Sequence, residues 1–227
     1  MTVDFINNSS QRTPCVLVLD ASWSMKEKTT TGRTRIDELN AGIEELERAL
    51  KSDDAAISRV QLCVVIVGGP GGSAELMLDW TDAGNFQSFP ISADGGTPLA
   101  EGLEIGLEMI EISKRNLKGA GISYTRPWMM VISDGEPTSS SSNWKRVIEL
   151  TNLAEQNRQV EIFTIGVEGA NLSVLSEISS RPAIQLAGMK FKELFLWLSD
   201  SLSAVSRSRP GEKANLPDTD PWKNVGI

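Results

Sequence analysis

The chain has 227 residues, 22 Lys plus Arg against 30 Asp plus Glu for a net charge of −8, no histidine and two cysteines. The missing histidine excludes Ser-His-Asp and Cys-His catalysis and every metal site with an imidazole ligand. Two cysteines are too few for a zinc ribbon or a disulfide framework, and the acidic balance argues against nucleic acid or an anionic membrane as main partner.

The first 13 residues form a leader without a basic region followed by an apolar run, so they do not read as a signal peptide. No apolar stretch approaches the roughly 20 residues that span a bilayer. The expected compartment is therefore cytoplasmic. Cys15 and Cys63 lie in the strand-like runs CVLVLD and LCVVIV and read as buried free thiols.

Cys15–Leu19 is a short continuous apolar run ending at Asp20, the pattern of a strand buried on both faces. Ile36, Leu39, Ile43, Leu46 and Leu50 then fall on one helical face. Val60–Val67 is a second buried strand. Gly68-Gly69-Pro70-Gly71-Gly72 turns it directly into a third, Ala74–Trp80, which the short turn makes an antiparallel edge strand. That glycine run is a turn and not a phosphate-binding loop, since no Gly-Lys-Ser/Thr and no helix follow it.

Leu99, Leu103, Leu107 and Ile110 mark a second long helix, with Gly102 and Gly106 one turn apart for close approach to the sheet. Trp128–Ser133 is a strand ending at Asp134, and Trp144–Asn157 a helix. Val160–Val167 is a strand, Leu172–Ile178 a short helix and Ala183–Ala187 a short last strand. Phe191, Leu194, Phe195, Leu198, Leu202 and Val205 stripe the final helix. Strands alternating with helices of this length predict an α/β fold: a mostly parallel sheet with helices on both faces. The expected domain runs over 14–205, and 206–227 is a proline-spaced tail that Trp222 is placed to anchor.

In open α/β sheets ligands bind beyond the carboxyl ends of the strands. Three polar clusters fall there: Asp20-Ala21-Ser22-Trp23-Ser24, Asp94-Gly95-Gly96-Thr97-Pro98, and Ser133-Asp134-Gly135-Glu136-Pro137-Thr138. If the first and fourth strands are neighbours, Asp20 and Asp134 face each other across one crevice. Two carboxylates and three hydroxyls, all oxygen, suit a hard divalent cation. With only two formal negative charges around it, such a cation keeps electrophilicity and an open position for an external carboxylate. Each residue also has a plainer reading. Asp20 and Asp134 are turn aspartates, Thr97 caps the helix beginning near Pro98, Ser139–Ser142 is a flexible loop, and Glu136 sits behind the ligands.

Asp-x-Ser-x-Ser after a first strand, a Gly-Gly-Thr-Pro-Leu loop and a later strand ending Ser-Asp-Gly, in that order, resemble the metal-ion-dependent adhesion site of von Willebrand factor A domains. The resemblance spans roughly Pro14 to Val205. It implies a Rossmann-like sheet, magnesium bound directly by Ser22, Ser24 and Thr97, and Asp20 and Asp134 acting mainly through water. Manganese and calcium are alternatives to magnesium. The sixth position would take an acidic residue of a partner protein. Val131–Thr138 and the stretch FKELFLWLSDSLS further resemble the bacterial TerY-type proteins of tellurium-resistance and stress operons. That likeness implies association with a protein kinase and a protein phosphatase encoded nearby, in tellurium-resistance or phage-defence systems.

Two features depart from the family pattern. Trp23 stands where the family usually has glycine, so its indole is either strained or a partner contact. The connection from Met25 to Ile36 is long and carries Lys26, Lys28, Arg33 and Arg35 against Glu27, a local surplus of three positive charges. The partner-facing set is therefore Trp23, Met25, Lys26, Lys28, Arg33, Arg35 and Glu136. The resulting expectation is a non-enzymatic, cation-dependent protein-interaction module. The alternative is a metal-dependent phosphohydrolase of haloacid-dehalogenase type, which needs a second carboxylate where this chain has Ser22. A secreted adhesin of the same fold is a third reading, disfavoured by the lack of a signal peptide.

Overall fold

The computed structural model describes residues 10–29, 32–187, 190–207 and 215–220. The leader up to residue 9 and Trp222 lie outside the described residues. Six strands, β1 (Thr13–Ala21), β2 (Val60–Gly68), β3 (Ser73–Asp82), β4 (Trp128–Ser133), β5 (Glu161–Gly166) and β6 (Ile184–Gln185), form one sheet in the order β3-β2-β1-β4-β5-β6. All neighbours pair in parallel except β2 and β3, which form the antiparallel edge expected from the Gly/Pro turn.

The side-chain period of a strand divides the core in two. On β1, Cys15, Leu17 and Leu19 face one layer and Val16 and Val18 the other. The first layer is covered by α1 (Arg35–Lys51), α2 (Asp54–Arg59) and α6 (Phe191–Arg207). The second is covered by α3 (Leu99–Gly119), α4 (Ser141–Gln156) and α5 (Leu172–Leu175). A Cβ on Gly102 would collide with Val67 and one on Gly106 with Met129, so these two positions let α3 lie close on the sheet. Both cysteines are buried and free.

Boundaries differ from the expected ones where hydrogen bonds outrun the apolar pattern. β1 extends four residues beyond its apolar run because the polar ends, Thr13 and Asp20 among them, stay in register with β2. The short helix α2 has no counterpart in the sequence reading. It is nucleated by Asp53, whose carboxylate accepts the Ala55 and Ala56 N–H groups at 2.8 and 3.1 Å. Conversely, β6 is only two residues long and α5 stops at Leu175. Among the described residues, no helix is long and apolar enough to cross a membrane.

Candidate functional site

Because β1 and β4 are adjacent and parallel, with Leu19 paired to Ile132, the chain leaves both strands at the same edge. Asp20 and Asp134 are thereby brought to one crevice. Asp20 is buried and its two oxygens are both engaged: Oδ1 accepts the Ser22 N–H at 2.8 Å and Oδ2 the Ser133 hydroxyl at 2.6 Å. Ser133 Oγ in turn accepts the Gly135 N–H at 3.1 Å, fixing the start of the loop after β4. The hydroxyls of Ser22 and Ser24 lie 3.0 Å apart, and Ser24 donates to Asp134 Oδ2. Asp134 Oδ1 accepts the Glu136 N–H at 3.1 Å.

Burial pushes the Asp20 carboxyl up, and the nearby Asp134 carboxylate pushes it further. The bonds from Ser133 and Ser22 pull the other way, leaving it at about 6. Two carboxylates are thus held close enough to repel while hydroxyl and amide dipoles support them.

Thr97 is buried on the neighbouring loop and makes no hydrogen bond to these four side chains. Its loop is clamped to the one after β4 by a reciprocal pair: Thr97 N–H to Thr138 Oγ1 at 3.0 Å and Thr138 N–H to the Thr97 carbonyl at 2.8 Å. Nor does Thr97 cap α3. The Ala100 N–H goes to Ser139 Oγ at 3.1 Å, and Ser139 donates to Glu101, which also accepts from Asn143 at 3.0 Å. Ser140 caps α4 through the Asn143 N–H. The serine run is therefore two helix caps and not a free loop, and the Thr97 hydroxyl is left out of helix capping.

The loop after β1, the β2–β3 turn and the loop before α3 meet through bare backbone. Gly69 N–H donates to both the Ala21 and Asp94 carbonyls at 2.8 Å, Asp94 N–H to Ala21 at 2.8 Å, and Trp23 N–H to Gly95 at 2.9 Å. Gly68 has φ +89°, and a Cβ there would come within 2.6 Å of the Gly96 oxygen and 2.9 Å of the Ser22 nitrogen.

Trp23 opens a short 3-10 turn, Trp23–Lys26, with Ser22 as its N-cap, and is not among the residues with positive φ. The strain that glycine would have relieved does not arise, and the indole stands 60% exposed. Met25 corrects an expectation: its side chain is fully buried in the layer under α1 and offers a partner nothing. The basic connection is also less charged than its sequence implies. Lys26 meets Asp94 at 3.2 Å, Arg33 meets Glu38 at 3.5 Å and Arg35 meets Glu27 at 3.0 Å, while Lys28 stays exposed. The Gly95 N–H and the Lys26 ammonium hold Asp94 below the usual carboxylate range.

Arg35 is a tie rather than a free cation. It donates to the Ser24 carbonyl at 3.3 Å and the Glu168 carbonyl at 2.9 Å, joining the loop after β1 to the one after β5. Glu136 is exposed at the rim. Ser133, Thr138, Ser139 and Glu101 were not anticipated as supports. Only Ser133 had a local signal, as a polar residue closing a buried strand.

Residues 83–194 match the von Willebrand factor type A domain family, a stretch that includes Thr97 and Asp134 and leaves out Asp20, Ser22 and Ser24. Among curated proteins, no sequence matches the chain. Solved structures similar in fold include the following three. The open conformation of the pilus adhesin SpaC from Lactobacillus rhamnosus GG has 15% identity and a TM-score of 0.67, over 87% of this chain and 31% of that one. Proximal thread matrix protein 1 from the mussel byssus has 14% identity and a TM-score of 0.54, over 88% and 47%. The PilB minor pilin from Streptococcus sanguinis has 11% identity and a TM-score of 0.57, over 86% and 62%. This chain thus spans less than two thirds of each. At these identities the likeness is one of fold. Over residues 83–194 the chain is similar to the von Willebrand factor type A domain family, and its architecture is shared with these solved structures.

Proposed function

We propose that the chain is a non-enzymatic protein-interaction module that captures an acidic side chain of a partner through a divalent cation, with magnesium preferred and manganese or calcium as substitutes. The observation that carries this reading is the convergence of Asp20, Ser22, Ser24 and Asp134 in one hydrogen-bonded cluster at the carboxyl edge of the sheet. The donor set is hard oxygen throughout, which fits such an ion and does not fit zinc. Ser22, Ser24 and Thr97 would hold it directly, and Asp20 and Asp134 would orient its water. When bound, the ion supplies an electrophilic position for a carboxylate and offsets the repulsion between the two aspartates. The non-enzymatic reading is supported by position 22, a serine where a haloacid-dehalogenase-type phosphohydrolase needs its second carboxylate.

In this reading the interaction domain covers 14–205, acts in the cytoplasm and meets its partner over Trp23, Lys26 and Glu136. By resemblance, the partner belongs with the kinase and phosphatase of a bacterial tellurium-resistance, stress or phage-defence system. The test is capture of partners from the native cell with magnesium or with EDTA, using wild type and Asp20→Ala, alongside calorimetric titration with magnesium. Capture that requires both the metal and Asp20 is expected. No heat of magnesium binding, together with equal capture by the variant, overturns the reading.

A further inference from the structure

The loop after β5, residues 167–171, meets the crevice on two sides. On the β4 side the contact is backbone to backbone. The Val167 N–H donates to the Ser133 carbonyl at 3.1 Å and the Asn171 N–H to the Asp134 carbonyl at 2.7 Å. Gly135 lies at φ +74°, and a Cβ there would come within 2.6 Å of the Asn171 oxygen, so the two loops touch through main chain. On the β1 side the contact is a side chain. Arg35, the first residue of α1, places one terminal nitrogen on the Ser24 carbonyl and the other on the Glu168 carbonyl. The second nitrogen also pairs with Glu27 at 3.0 Å, and the Arg35 main-chain N–H donates to the Glu27 carbonyl at 3.1 Å.

These bonds close a ring. The Ser24 hydroxyl donates to Asp134, and the Asp134 carbonyl accepts from Asn171. The chain leads back from Asn171 to Glu168, and Arg35 joins the Glu168 carbonyl to Ser24 again. Ser24 lies in a 3-10 turn of four residues, whose internal hydrogen bonds have poor geometry, so its place depends on what grips the turn from outside. Charge does not account for the arginine. A guanidinium beside a proposed ligand of a divalent cation repels that cation, and Glu27 stands against it as the compensating acid. Shape does account for it: a planar fork reaches two carbonyls at once, where the ammonium of a lysine is a single point.

We infer that Arg35 is a positioning residue for the cation site, an inference that rests on the function proposed above. By tying the Ser24 carbonyl to the loop that also holds Ser133 and Asp134, it fixes the spacing between the Ser24 hydroxyl and the Asp134 carboxylate. Arg35 itself touches neither the cation nor the partner. It is a residue behind the ligands, of the kind whose loss typically lowers metal affinity by about 10–100-fold. The loop after β5, which supplies no ligand, becomes part of the site through it.

The test is calorimetric titration of the full chain with magnesium, comparing wild type, Arg35→Met and Arg35→Lys. If Arg35 acted through charge alone, Arg35→Met would remove a repulsion and bind magnesium more tightly. The expected result has the opposite sign: Arg35→Met binds about tenfold more weakly, and Arg35→Lys falls between it and wild type. Hydrogen exchange on the metal-free proteins gives a second readout. In Arg35→Met the Glu27 and Asn171 amides should exchange faster together, while the Thr138 amide in the clamp to Thr97 keeps its rate. Magnesium binding by Arg35→Met as tight as wild type or tighter overturns the inference and leaves the cation site standing. Exchange unchanged at both loops, or accelerated evenly over the whole sheet, also overturns it, the second because Arg35 then serves the fold and not the site. No heat of magnesium binding in wild type overturns the cation site and this inference with it.

Discussion

The two ends of the sheet are built on opposite principles. At the carboxyl edge, Asp20, Ser22, Ser24 and Asp134 are held by hydrogen bonds between loops, and their arrangement works against electrostatics, since two carboxylates share a crevice. At the other end, Trp128, Phe163 and Trp197 are held by contact between rings. One end stores an unfavourable interaction that a ligand could relieve; the other is a source of stability. The six residue steps from Trp128 to Asp134 separate them by about 20 Å along an extended strand, far enough that each should respond to substitution on its own.

The strongest way to break this contrast is Trp128→Ala. Truncating a buried aromatic at the base of β4 should cost about 3–5 kcal/mol in urea unfolding while leaving magnesium affinity within about twofold. A tenfold loss of affinity in that variant would mean that the two ends are one cooperative unit.

Next in size is Asp20. Its folded carboxyl titrates at about 6 against an ordinary value of 3.8, so the folded state holds the proton more tightly than the unfolded one. The associated stability is fully present below about pH 4 and is lost as pH rises through 6. Metal-free protein should therefore lose about 3 kcal/mol across that window from this group. Asp20→Asn, which cannot ionise, should abolish the loss, and saturating magnesium should offset it in the wild type. Thermal melts from pH 4 to 8 check both; a flat profile in metal-free wild type refutes the raised Asp20 pKa, to which burial contributes first and Asp134 second.

A smaller effect is expected at Thr138. Thr138→Val removes the acceptor of the Thr97 N–H and should cost about 1–2 kcal/mol. It should also weaken magnesium binding in titration calorimetry, which would sharpen the view that the loop clamp, and not the proposed Thr97 ligand alone, sets the site. The smallest effect lies outside both ends. Lys51 and then Ser88 hold Glu47 down to about 2, so its contribution is present above the ordinary value of 4.5 and fades as pH falls towards 2. Glu47→Gln should flatten the acid limb of the stability profile slightly, because Glu47 is only partly buried and its Lys51 partner faces solvent, which screens the pair.

The contrast also separates what the sequence made legible from what it did not. Continuous apolar runs at Cys15–Leu19 and Val60–Val67 announce doubly covered strands, and Gly68–Gly72 announces the one antiparallel turn. These are local signals, and the sheet follows them. Helix α2 was missed because six residues hold no helical period and its cap, Asp53, looks like any surface aspartate. Asp20 and Asp134 were brought together by reasoning about strand order, which the pattern of alternating elements constrains. Ser139 reaching the Ala100 N–H, Thr138 reaching the Thr97 N–H and Asp94 reaching Lys26 were not legible, because each contact ties positions about 40 residues or more apart through a polar side chain without periodicity. Met25 illustrates the converse: its neighbours in sequence are polar, yet the 3-10 turn rotates it into the core.

One hairpin glycine has the widest reach. The gap between Gly68 and the backbone of Ser22 and Gly96 is set by main-chain atoms, which are the same whatever residue a position carries. Drift among the surrounding side chains therefore leaves the calibre of the crevice unchanged, and loop composition can vary while the spacing persists. A single methyl group at position 68, 48 residues along the chain from Asp20, would alter that calibre more than replacing the whole exposed indole of Trp23. The tolerance of the crevice is in this sense written on a strand that contributes no ligand to it.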